Sequence, residues 1–253
     1  MSPPHDHLPR VSVIVPFLDR REHLAACIEG LLAQEPVDGA VEIILVDNGS
    51  SDHGAPLVER YPSVVLLREE KRGAYAARNT GVQHARAPLL AFTDADCVVD
   101  RDWIRAICDG MRDPAVAMMI GPCRYPANAS RALAVLAAYE NAKAEYVLTR
   151  CRPANHFVYA NNLAVRTAVH RELGGFREWD RAADTELAHR LAAARPELGL
   201  AFNPAMRVTH FEFVRLRDRL RRLSLYTTTN AQIPTFTELG MLQRAAVLLR
   251  MLR

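Results

Sequence analysis

The sequence lacks both of the glycine-rich signatures that cradle phosphates. No G-x-G-x-x-G follows the first apolar run, and no G-x-x-x-x-G-K-[ST] occurs anywhere, which disfavours a dinucleotide fingerprint and a P-loop. Cysteine is sparse and unpatterned: Cys27, Cys97, Cys108, Cys123 and Cys151 are odd in number and show no C-x-x-C spacing. That spacing suggests neither a zinc site nor a disulfide framework, and most of the five read as small buried residues in a reducing compartment. No apolar run approaches the roughly 18 to 20 residues of a membrane-spanning helix. The start, Met1-Ser2-Pro3-Pro4-His5-Asp6-His7, lacks the basic region and apolar core of a signal peptide. These absences predict a cytoplasmic protein. Lysine is nearly missing too. Lys71 and Lys143 are the only two among 32 basic residues, and arginine in an alanine-rich chain reads as GC-rich coding rather than as a nucleic-acid surface.

What is present is an ordinary globular composition. The 253 residues are 49% hydrophobic and 24% charged, which excludes disorder and collagen-like fibres. The net charge of +3 is unevenly spread: residues 214–253 hold eight arginines against Asp218 and Glu238, so this stretch is +6 and the remainder −3. The pattern predicts a disordered N-terminus over 1–10, one continuous domain over 11–213, and a basic amphipathic helical tail over 214–253. In the tail Leu216, Leu220 and Leu223 share a helical face among five arginines. Such a segment suits peripheral contact with the inner face of a membrane, or packing on the domain or on a second copy in a homodimer.

Strand and helix alternate through the first half. Val11–Phe17, 41–46, 64–67 and Leu89–Thr93 read as strands, with helices over 21–34, up to about 61, and over 73–85. This predicts an α/β fold with a mainly parallel sheet and crossover helices. The second half reads as helices over 101–112, 129–149, 166–173 and 184–194, with strands over 115–121, 158–165, 198–202 and 206–210.

Ligands of open parallel sheets sit beyond the carboxyl ends of the strands. Four such ends are polar here: Pro16-Phe17-Leu18-Asp19, Asp47-Asn48-Gly49, Arg68 to Arg72, and Asp94-Ala95-Asp96. Carboxylates repel phosphate unless a divalent cation lies between them. Mg²⁺ or Mn²⁺ takes one or two carboxylates and completes its shell with water and phosphate oxygens, a role that suits Asp94 and Asp96. A paired aspartate that merely ends a strand and opens a turn is the plainer alternative.

Taken in order, four segments resemble the nucleotide-binding segments of glycosyltransferase family 2. They are Val11-Ser12-Val13-Ile14-Val15-Pro16-Phe17, Val46-Asp47-Asn48-Gly49-Ser50-Ser51-Asp52, Ala76-Ala77-Arg78-Asn79-Thr80-Gly81-Val82 and Leu90-Ala91-Phe92-Thr93-Asp94-Ala95-Asp96. Downstream, Asn161-Asn162-Leu163-Ala164-Val165-Arg166, Gly174-Gly175-Phe176-Arg177-Glu178 and Ala183-Asp184-Thr185-Glu186 resemble its acceptor-side segments. The resemblance covers about 11–211. It implies a GT-A fold, a nucleoside-diphosphate sugar donor with UDP favoured, a Mn²⁺ or Mg²⁺ cofactor, inversion at the anomeric carbon, and a glycan, lipid-linked or small-molecule acceptor.

Position by position, the resemblance makes Asp47 a nucleobase contact and places Pro16, Phe17 and Asp19 around base and ribose. It brings Asp94, with Ala95, to the nucleotide or the metal, gives Asp96 to the metal, and gives His210 to the metal or the diphosphate. Asp184 matches the catalytic base. Asn161 and Trp179 fall on the acceptor side, where Trp179 either stacks on a sugar or is buried. Two departures stand out: the acidic residue that usually precedes the base is Ala183, and an asparagine-like position after the first strand is Asp19. Without the resemblance Asp184 reads as a helix N-cap, and Arg72 and Arg78 read either as partners of the diphosphate or base or as solvated arginines. Competing readings are a haloacid-dehalogenase-like phosphatase, from Asp94-Ala95-Asp96-Cys97-Val98, and a catalytically degenerate sugar-nucleotide-binding protein.

Overall fold

The computed structural model describes residues 8–52, 54–126, 130–151, 156–179 and 181–211. The expected tail over 214–253, and residues 1–7 of the expected N-terminal segment, lie outside the described residues. Strands β1 (Val11–Phe17), β2 (Val41–Asp47) and β4 (Leu89–Thr93) are buried along almost their whole length. That is the signature of strands covered on both faces, and it explains their unbroken apolar runs. With β3 (Val64–Arg68), β6 (Val116–Ile120), β8 (Asn162–Arg166) and β9 (Gly199–Phe202) they form a seven-stranded sheet in the order β3-β2-β1-β4-β8-β6-β9.

Side chains of β1 alternate between two cores. Val11, Val13, Val15 and Phe17 pack on one face with helices α1 (Arg21–Leu32) and α4 (Trp103–Gly110), whereas Ile14 packs on the other. That second face is covered by α3 (Ala74–His84), α5 (Arg131–Arg150), α6 (Thr167–Glu172) and α7 (Ala183–Ala194). The short α2 (Gly54–Val58) completes the β2–β3 crossover. The period-2 alternation of a strand thus builds a three-layer sandwich.

β1 through β4 run parallel, with chain order reversing at β1, so a crevice opens beyond Phe17, Asp47 and Thr93. β8 departs from the parallel expectation. It runs antiparallel to both β4 and β6, pairing Thr93 with Asn162. Its start therefore meets the ligand end of β4. The strand is also shorter than the expected 158–165, because residues 158–161 turn aside to contact the start of α7. Two strands escaped the sequence reading: β5 (Cys97–Val99) and β7 (Cys123–Arg124) flank β10 (Val208–His210) in a small second sheet. β5 is only three residues long and β7 two, too short for periodicity to register.

Asn162 locks the two sheets together. Its Nδ2 donates to the Met206 and Pro122 carbonyls at 2.7 and 3.2 Å, and its Oδ1 accepts from Trp103 Nε1 at 2.9 Å. Gly121 completes this junction: a Cβ there would lie 1.8 Å from the Met206 carbonyl oxygen.

Candidate active site

The loops after β1 and β2 are stitched to each other. Asp19 adopts a left-handed conformation (φ 51°), which a short polar side chain tolerates when it bonds locally. Its Oδ1 accepts from the Ser51 amide at 2.7 Å and hydroxyl at 3.0 Å, and these bonds hold its carboxyl below the ordinary aspartate value. Asp52 returns the tie, accepting from the Arg21 amide at 2.7 Å. Asp47 is buried and accepts from the Ser50 amide at 2.8 Å. Pro16 and Phe17 close the floor from β1, paired with Val46 and Asp47. Asn48, buried beside them, bonds the Glu69 and Lys71 carbonyls and accepts from the Gly73 amide, so it fixes the loop that leads into α3. Arg72 on that loop is exposed, with its guanidinium near Asp19.

Beyond β4 the chain turns tightly, the Cys97 amide bonding the Asp94 carbonyl at 2.9 Å. Ala95 is buried in this turn and Asp96 is nine-tenths buried. Asp96 Oδ2 lies 3.4 Å from Arg20 Nε, and Asp96 Oδ1 lies 3.7 Å from His210 Nε2. Asp96, Cys97 and His210 each offer a ligand atom within 4.8 Å of the others, and among the described residues theirs is the one such group. The sequence-predicted metal pair is therefore assembled, from segments more than a hundred residues apart, with a thiol beside it. Burial pushes the Cys97 thiol well above the ordinary range.

Asp184 lies in the first turn of α7, not at its cap; the cap is Ala182, in a left-handed conformation. Its carboxylate accepts from the Ala160 amide at 2.9 Å and the Thr185 amide at 2.8 Å. Burial raises its pKa above the aspartate value of 3.8, while the two amides, the Arg78 guanidinium and the Tyr75 hydroxyl oppose that rise. Glu186, two residues on, is engaged elsewhere. Its two oxygens are forked by Arg190 at 2.7 Å each, and Arg190 also holds the Leu173 and Gly175 carbonyls. Glu186 thereby fixes the Gly174-Gly175 turn.

Arg78 is not solvated, the plainer of its two readings. It is 5% exposed, pairs with Asp94, and lies over the Tyr75 ring at 5.3 Å. One helix thus links the carboxylate beyond β4 to the buried one on α7. Tyr75 was missed by the sequence reading, although its spacing of three from Arg78 puts both on one helix face. Asn79 clasps Phe176 through the latter's amide and carbonyl. Asn161 bonds Thr93 through its carbonyl and keeps a buried Oδ1 with no partner. Trp179 is 37% exposed, which removes the buried reading; its neighbour Glu178 pairs with Lys71 across the crevice rim.

A family model described as Glycosyl transferase family 2 matches residues 12–174. The chain belongs to this family. The glycosyltransferase AglE of Haloferax volcanii is 33% identical over 102 residues, 38% of this chain and 34% of that protein. GlyG of Streptococcus pneumoniae is 29% identical over 116 residues, 44% of this chain and 38% of that protein. The matches thus span about a third of these relatives' lengths. Among solved structures, the Pyrobaculum calidifontis mannosyltransferase PcManGT, in complex with GDP-Man and Mn²⁺, superposes with a TM-score of 0.66 at 23% identity, covering 86% of this chain and 61% of that one. S. aureus TarS 1-349 with UDP-GlcNAc gives 0.65 at 14% identity, covering 96% and 71%. At these identities the likeness establishes the GT-A fold. Family membership also removes the phosphatase alternative. No helix among the described residues is long and apolar enough to cross a membrane.

Proposed function

We propose that this family 2 protein is a metal-dependent inverting glycosyltransferase, moving a sugar from a nucleoside diphosphate to an acceptor hydroxyl. One observation carries the reading: a buried carboxylate with a raised pKa, Asp184, is tied through Tyr75 and Arg78 to the Asp94 end of the nucleotide crevice. In this reading Asp47 meets the nucleobase, and Pro16, Phe17 and Asp19 bound the base and ribose. Asp94, Ala95 and Arg72 lie toward the ribose and diphosphate. The carboxylate of Asp96 and the imidazole of His210 are a donor set that suits Mn²⁺ or Mg²⁺. When bound, such a cation stabilises charge on the departing phosphate as a Lewis acid.

The remaining work falls to the chain. Asp184 accepts the proton of the acceptor hydroxyl, and a base acting on the face opposite the leaving group gives inversion. The Ala160 and Thr185 amides hold its oxygens in place. Asn161 and the exposed Trp179 ring face the acceptor, the ring offering a stacking surface for a sugar. That relatives of this fold carry GDP-Man or UDP-GlcNAc supports a sugar-nucleotide donor.

The test is a panel of UDP-, GDP- and dTDP-sugars with Mn²⁺, read by binding and by slow donor hydrolysis. Binding of one donor, weakened in Asp96→Ala, is expected. Asp184→Asn is expected to keep donor binding and lose about 10²- to 10⁴-fold in transfer. Absence of any sugar-nucleotide binding, or undiminished transfer in Asp184→Asn, overturns the proposal.

A further inference from the structure

Helix α5 is apolar on two opposite sides. Leu133, Ala137, Ala144 and Leu148 are buried against the body. On the outer side Ala132, Val135, Tyr139, Ala142, Tyr146 and Thr149 are all exposed and recur at steps of 3, 4, 3, 4 and 3, the spacing of a coiled-coil seam. Val135, Tyr139 and Tyr146 are 65%, 54% and 63% exposed, and they make up three of the seven large hydrophobic side chains exposed among the described residues. Exposed apolar groups scattered singly need no partner, but a continuous stripe marks a contact surface, and a helix apolar on both sides calls for cover on both.

The sequence carries a matching stripe. Beyond Phe211, the last described residue, Leu216, Leu220, Leu223 and Thr227 recur at steps of 4, 3 and 4, and helical spacing puts Arg215, Arg221 and Arg222 away from them. We propose that residues 216–227 pack as a helix along the outer side of α5 of the same molecule, with Leu216, Leu220 and Leu223 against Val135, Tyr139, Ala142 and Tyr146. The place where the body ends favours this occupant. β7 alone separates β10 from α5: Val208 pairs with Cys123, and Asn141 of α5 takes the other edge of Cys123, donating to its carbonyl at 2.9 Å and accepting from its amide at 3.0 Å. The path from Phe211 to the outer side of α5 therefore crosses one strand spacing of about 5 Å and one helix diameter of about 10 Å. Residues 212–216 span up to about 17 Å when extended. Tethering at that length holds the leucine stripe at an effective concentration on the order of millimolar, which gives it the advantage over a second copy.

The arginines beside the leucine stripe supply the readout. The full chain is treated with trypsin under native conditions, and cleavage after Arg217, Arg219, Arg221 and Arg222 is timed by mass spectrometry. Such cleavage tracks the undocked population, so the wild type is expected to be protected. Tyr139→Glu on α5 and Leu220→Glu in the tail each place a charge in the seam and are expected to speed cleavage about tenfold or more. Leu32→Glu, an exposed position on α1, is expected to leave the rate unchanged. Tyr146→Ser repeats the α5 arm should Tyr139→Glu misfold. Cleavage of the wild type as fast as of Leu220→Glu, or no acceleration by the α5 variants, overturns the proposal. Protection that grows with protein concentration assigns the stripe to a second copy, and protection that arises only with anionic phospholipid vesicles assigns the tail to a membrane; either result overturns it as well.

Discussion

Replacing Arg78 by methionine removes a buried guanidinium from between two carboxylates while keeping much of its aliphatic stem. Breaking a fully buried ion pair costs about 3 to 5 kcal/mol, and exposed pairs are worth about 0 to 1. Arg78 is 5% exposed and Asp94 32%, so water screens only one partner and the expected loss at pH 7 is about 2 to 3 kcal/mol. With a urea dependence of about 2 to 3 kcal/mol per molar, the unfolding midpoint falls by about 1 M. Part of the loss arises at Asp184, whose ionised form Arg78 also favours. As the pH falls through the raised pKa of Asp184 that carboxyl becomes neutral, and its share of the deficit disappears. The decisive assay is urea unfolding of the wild type, Arg78→Met, Asp94→Asn and the double variant. Loss of the pair in common predicts a coupling of about 1 to 2 kcal/mol. Strict additivity, within about 0.5 kcal/mol, refutes the reasoning.

The pH profile of transfer should carry a second mark of burial. The acid limb of kcat/KM is expected above the ordinary aspartate value of 3.8, because burial disfavours the ionised Asp184. A limb at or below that value removes Asp184 as the base. The linked stability runs the same way: with a folded pKa above the unfolded one, this group's contribution is full below pH 3.8 and is lost as the pH rises through the folded value. Tyr75→Phe deletes a hydrogen bond to the carboxylate, so the acid limb should move to still higher pH, and an unmoved limb would show that the phenol does not tune the base. Gly121→Ala forces a methyl into the Met206 carbonyl and should cost about 3 kcal/mol in urea unfolding; a wild-type midpoint would contradict the packing of the sheet junction.

Strands β1, β2 and β4 were legible because burial on both faces leaves an unbroken apolar run, and because each run ends on a polar turn. The order of the family's segments then pointed to Asp47, Asp94, Asp96, Asp184 and His210 as candidates. Other features were hidden for physical reasons. The antiparallel course of β8 leaves no trace in composition, since a buried strand reads the same in either direction. The role of Arg78 depended on which helix face turned inward, and α3 is so rich in alanine and polar residues that its periodicity is weak. Cys97 looked like a small core residue, and only the pairing of β5 with β10 sets it against His210. Glu186 and Asp184 are two residues apart in sequence and equivalent in chemistry, yet one is clasped by Arg190 and the other is not.

The reversed course of β8 also bears on how such an enzyme can be re-engineered. Because this strand pairs with β4 on one side and β6 on the other, the first and second halves of the described domain share one hydrogen-bonded sheet. Exchange of whole halves between homologues would cut through that ladder at Thr93 and Asn162. Grafts confined to the exposed stretch around Trp179, between the Phe176 clasp and the start of α7, would leave every sheet pairing intact. The architecture thus marks its own seams: the loop around Trp179 is separable, and the sheet that presents it is indivisible.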